Sequence, residues 1–96
     1  MYAVIRRYRS VQLFDELARN EDAIRKLITG IDGFVSYTLA RAADGGFSVS
    51  VFRDRAGAEE STRQARAWVQ ANVSPAAVGA PPDVTEGDVL FHFSAD

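Results

Sequence analysis

The sequence predicts an α+β fold in which a four-stranded antiparallel sheet carries its helices on one face. Three observations point there. Two β-prone runs, Phe34 to Arg41 and Phe47 to Arg53, flank the turn signal Asp44-Gly45-Gly46, which reads as a hairpin. A segment of helical periodicity lies on either side of that hairpin, and a strand-like run stands near each end of the chain. The order is therefore β-α-β-β-α-β, that of a ferredoxin-like sandwich with right-handed crossovers. At 96 residues the chain is read as a single domain, 1–96.

The elements follow in order. Tyr2 to Tyr8 is rich in β-branched and aromatic residues and forms the first strand. Ser10 is placed to cap a helix from Val11 to Ile28, in which Leu13, Leu17, Ile24, Leu27 and Ile28 make one apolar stripe. Asn20 interrupts that stripe and marks a break near Arg19-Asn20-Glu21, and Gly30 and Gly33 stop the helix. In the third strand Phe47, Val49 and Val51 alternate with Ser48, Ser50 and Phe52. Asp54 caps a second helix from about Ala56 to Asn72. The stretch after Ser74-Pro75, with Gly79, Pro81 and Pro82, reads as loop. A fourth strand spans Val84 to Phe93, with an interruption at Glu86-Gly87.

Helices on one face leave the other face of the sheet bare. Six Phe, three Tyr and one Trp exceed what a thin layer of this size hides easily. The expected remedy is a homodimer in which two sheets pack face to face and curve towards a dimeric α/β barrel. The absence of Cys removes disulfides and thiolate metal sites. A net charge of −2 argues against nucleic acid. The one basic cluster, Arg6, Arg7 and Arg9, divides between strand faces. Neither a membrane-length apolar run nor a signal-peptide pattern is present. These features predict a cytoplasmic protein that engages neither membrane nor nucleic acid.

Candidate site residues are few, and each has a plainer use. Trp68 and Asn72 are one helical turn apart; they either floor and polarise a pocket for a planar ligand, or plug the core and fray at a helix end. Tyr37 and Ser50 are placed to donate hydrogen bonds to an oxyanion, a role that needs no metal. Arg6, if it points inward, pairs with an anionic oxygen, because an inward arginine without an anion is costly. Tyr2 and Tyr8 share its strand face. His92 is the only histidine and the first choice for acid–base chemistry near neutrality. It is equally an edge or interface residue, with Phe91 and Phe93 pointing the other way. One His without Cys does not make a metal site.

Several segments resemble a known family: Gly33-Phe34-Val35-Ser36-Tyr37 at the second strand, Met1 to Tyr8, Val49 to Ser61, and Glu86-Gly87-Asp88-Val89. Together they resemble the antibiotic biosynthesis monooxygenase (ABM)-like family of the dimeric α/β-barrel superfamily, and an uncharacterised bacterial branch within it. The resemblance covers nearly the whole chain. It implies a homodimer that binds a small aromatic or hydrophobic ligand between sheet and helices, and chemistry in which molecular oxygen reacts without a cofactor. A non-catalytic structural or regulatory dimer is the alternative. Haem-degrading relatives carry an Asn on the first strand and a His near the second helix. This chain has neither.

Overall fold

A computed structural model describes residues 1–95. The elements are β1 (Tyr2–Tyr8), α1 (Val11–Arg19), α2 (Glu21–Thr29), β2 (Phe34–Ala42), β3 (Gly45–Phe52), α3 (Arg55–Asn72), α4 (Pro75–Val78) and β4 (Asp83–Asp88). The four strands form one antiparallel sheet in the order β2-β3-β1-β4. An α+β sandwich is therefore present.

The barrel is not. β2 and β4 end the sheet on opposite sides with no strand between them, so it stays open. Closure needs enough tilted, staggered strands to bring the edges together, and a four-stranded twisted sheet falls well short of that. The simple β-α-β-β-α-β order is also modified. The first helix is two helices, and a short α4 follows α3.

Local chemistry explains these boundaries. Asn20 leaves the helical region at φ −121°, its backbone N–H closes on the Leu17 carbonyl, and its side-chain Nδ2 donates to the Glu16 carbonyl at 2.7 Å. Glu21 and Asp22 then favour the N-terminus of α2. Ser10 Oγ accepts from the Leu13 N–H at 3.2 Å, and the Asp54 carboxylate accepts from the Gly57 N–H at 3.0 Å, so both expected caps are formed. Ser74 caps α4, with Pro75 opening it.

The hairpin turn itself is Ala43-Asp44, since Ala42 already pairs with Gly45. The glycines serve the packing instead. Gly45 has φ +149°, and a side chain on Gly46 would collide with the ring of Phe14.

β4 is shorter than expected. Asp88 pairs with Tyr2 at the start of β1, and Val89 donates its N–H to the Met1 carbonyl at 2.9 Å. Past Val89 the described residues form no further pairing with β1. Leu90, Phe91 and Phe93 consequently lie more than three-quarters exposed, the two phenylalanine rings stacked at 6.1 Å.

The register sorts the side chains into two faces. Tyr2, Val4, Arg6 and Tyr8 of β1, Ser48, Ser50 and Phe52 of β3, and Tyr37 and Leu39 of β2 share the helix-covered face. Ala3, Ile5, Phe47, Val49 and Val51 turn the other way. Under the helices the core has two parts. One gathers Tyr2, Val4, Ile28, Ile31, Phe52 and Ala58; the other gathers Leu13, Phe14, Leu17, Val73 and Ala77. Ile24 packs against both.

Candidate functional site

Strand alternation decides where the three clustered arginines go. Arg7 points to the far face and grips Asp44 with two contacts of 3.0 and 3.1 Å, and Arg9 reaches Asp83 at 2.8 Å. Both are exposed ion pairs. Arg6 points under the helices and is only 6% exposed. Its Nη2 donates to Ser61 Oγ at 3.4 Å and to Thr62 Oγ1. Both hydroxyls belong to α3 and in turn donate to the Ala58 carbonyl, at 2.7 and 3.2 Å. Among the described residues no carboxylate lies within ion-pairing distance of Arg6.

The electrostatics follow from burial. Desolvation pulls the Arg6 pKa below its ordinary value, with Arg66 adding a smaller downward effect, while Tyr8, Tyr37 and Glu86 act weakly the other way. Desolvation also raises the phenols of Tyr8 and Tyr37 above the usual tyrosine range, more than Arg6 lowers them. Both tyrosines are thereby neutral hydrogen-bond donors around a cation.

These groups enclose a small chamber of about 50 Å³, walled by Arg6, Tyr8, Tyr37, Ser48 and Trp68 together with aliphatic side chains from α1, α2 and α3. Next to it lies an open cleft of about 630 Å³ between α1, α2 and β2, lined by Phe14, Phe34 and Arg41 among others. The two spaces share Leu17, Ile24, Ile28, Tyr37 and Leu39 as common walls. The cleft and the chamber thus adjoin, and Arg6, Tyr8, Tyr37 and Ser48 supply the few polar groups of an otherwise apolar chamber.

Of the residues expected at a site, the structure brings Arg6, Tyr37 and Trp68 together. Ser50 sits beside them, paired with Tyr37 in the sheet and fully buried, and its Oγ finds no partner. Its neighbour Ser48 lines the chamber. Asn72 is exposed, its Nδ2 donating to the Trp68 carbonyl at 2.9 Å, so it does not reach the chamber. His92 lies past β4 in the exposed C-terminal segment. Ser61 and Thr62 are functional neighbours that the sequence did not flag. Two hydroxyls on the face of α3 that also carries Ala58 and Ala65 were the available signal. Among the described residues no three His, Cys, Asp or Glu side chains gather as metal ligands, and no helix is long and apolar enough to cross a membrane.

The structure is thus an α+β sandwich with a buried arginine at a mostly apolar chamber under its helices. The fold is shared with solved structures at low sequence identity, among them proteins described as an antibiotic biosynthesis monooxygenase from Nitrosomonas europaea and a haem degrader from Mycobacterium tuberculosis, each under 15% identical. A protein of unknown function from Nitrosomonas europaea is 18% identical, with 99% of this chain and 93% of that one aligned and a TM-score of 0.73. The Rv0793 protein from Mycobacterium tuberculosis is 26% identical over 97% and 98%, with a TM-score of 0.68. A monooxygenase from Streptomyces coelicolor, solved in complex with nanaomycin D, is 13% identical over 99% and 90%, with a TM-score of 0.64. No protein-family model and no curated protein matches the chain.

Proposed function

We propose that this protein binds a small aromatic or hydrophobic compound between its sheet and helices, and oxidises it with molecular oxygen without a bound cofactor. The observation that carries this reading is the cluster of Arg6, Tyr8 and Tyr37 at the inner end of an apolar cleft. Such a cluster stabilises negative charge on a ligand oxygen. The likeness to a monooxygenase solved with nanaomycin D supports an aromatic ligand.

Among the described residues no carboxylate or imidazole lines the chamber, so the substrate's own acidity delivers its proton to water. For an anthrone the balance is simple. The methylene becomes a carbonyl, one atom of the oxygen molecule enters the quinone, and the other leaves as water with the two methylene hydrogens.

The protein acts in the cytoplasm as a homodimer built on the bare sheet face. Ile5 there is 42% exposed, flanked by Phe47 and Val49. The small size of the inner chamber favours one competing reading, a non-catalytic structural or regulatory dimer. Oxygen uptake on adding an anthrone or a reduced quinol, without flavin or metal, decides between them. Uptake that depends on the protein and yields quinone supports the oxidase reading; binding without uptake supports a carrier; neither binding nor uptake favours the structural dimer.

A further inference from the structure

We infer that the ligand is a carboxylate, its acid group seated on Arg6 in the inner chamber and its apolar body lying in the outer cleft. The inference rests on the proposal that the helix-covered cleft is a ligand site. It goes further in fixing the ligand's charge and orientation.

The first argument is charge. An arginine that is 6% exposed normally meets a carboxylate. Arg6 meets two hydroxyls, which are already committed to the Ala58 carbonyl as donors. Both contacts use Nη2. Of the five guanidinium N–H donors, the one on Nε and the two on Nη1 donate to no described residue. Glu86 faces Arg6 from the edge strand only at long range, and it is occupied by the Tyr2 hydroxyl at 2.7 Å. Arg66 adds a second positive charge nearby. Those free nitrogens are not sealed in the core, since Ser50 Oγ is the sole buried side-chain polar atom without a partner among the described residues. A largely buried cation with no internal counterion is thus open there to an anion from outside.

Size is the second argument. A chamber of about 50 Å³ holds a carboxylate or a water or two, given about 30 Å³ of liquid per water, but not an aromatic ring. The adjoining cleft of about 630 Å³ does hold one. The two spaces adjoin along Tyr37 and Leu39 of β2 and Leu17, Ile24 and Ile28 of the helices. A two-oxygen acceptor suits the planar guanidinium better than a single phenolic oxygen does.

The test is calorimetric titration of the full-length protein with 2-naphthoate and with its neutral isostere 2-naphthamide. The wild type is expected to bind the acid roughly 10- to 100-fold more tightly, the range of a charge-assisted hydrogen bond. Arg6→Gln is expected to bring the two affinities within about twofold while retaining the amide's. Equal affinity of the wild type for both probes would overturn the carboxylate inference and leave the aromatic site standing. So would a preference for the acid that survives in Arg6→Gln. Absence of binding by either probe would remove the ligand site itself. The acid-to-amide ratio of the wild type decides the matter even where the variant fails to fold.

Discussion

The two faces of the sheet differ in what they carry. The face covered by the protein's own helices carries Arg6, Tyr8, Tyr37, Ser48 and Ser50, whereas the bare face carries Ile5, Phe47 and Val49. The covered face also holds the core residues Tyr2, Val4 and Phe52, so its polar groups are a local break in an apolar layer. The difference teaches that the two proposals draw on separate faces: the proposed ligand site on the polar break under the helices, the proposed dimer on the row of Ile5, Phe47 and Val49.

Three measurements sharpen that comparison. The largest expected effect comes from truncating the covered face where it is purely apolar. Phe52 is fully buried and edge-on to Phe34 at 6.1 Å, so Phe52→Ala should cost about 3–5 kcal/mol in urea unfolding. Phe47→Ala, on the bare face, should cost less than half as much at protein concentrations too low for association. Comparable losses at that dilution would erase the distinction.

An intermediate effect concerns assembly. Val49→Lys places a charge in the middle of the bare face and should convert a dimer to a single subunit by light scattering, with the far-ultraviolet spectrum unchanged. A wild type that is already a single subunit at micromolar concentration would refute the proposed dimer.

The smallest effect is alkaline. The phenols of Tyr8 and Tyr37 titrate above their unfolded value of about 10. Above that pH the unfolded chain has lost protons that the folded chain still holds, so folding stability is fully present below pH ~10 and declines as pH rises through the folded pKa values. Urea midpoints measured upward from pH 9 should fall, and Tyr37→Phe should flatten the decline.

Much of this was legible in the sequence, for identifiable reasons. The 3.6-residue stripe broken at Asn20 marked the gap between α1 and α2, and period-two alternation sent Arg6 and Arg7 to opposite faces. The same alternation misled at the C-terminus. Val89, Phe91 and Phe93 continue a strand pattern, but β4 ends at Asp88 and the last backbone bond to the neighbouring segment is from Val89 to Met1. The barrel was an inference about how bare faces curve, and an open sheet with edges β2 and β4 does not support it.

The helix α4 was readable from Ser74-Pro75, a serine cap before a proline at the first helical position, and the run of Gly and Pro behind it drew attention away. At the site, Trp68 and Tyr37 followed from their elements. The link from Arg6 to Ser61 and Thr62 spans more than fifty residues, and only the register of α3 over β1 creates it.

The central claim is that Arg6 is held in the core for a ligand and at the expense of stability. Urea unfolding of Arg6→Met without ligand tests it most directly. Ser61 and Thr62 keep their bonds to the Ala58 carbonyl in that variant, so removing the buried charge should raise stability by about 1–2 kcal/mol. A loss of more than about 1 kcal/mol would instead make Arg6 a structural tie between β1 and α3, and would contradict the account.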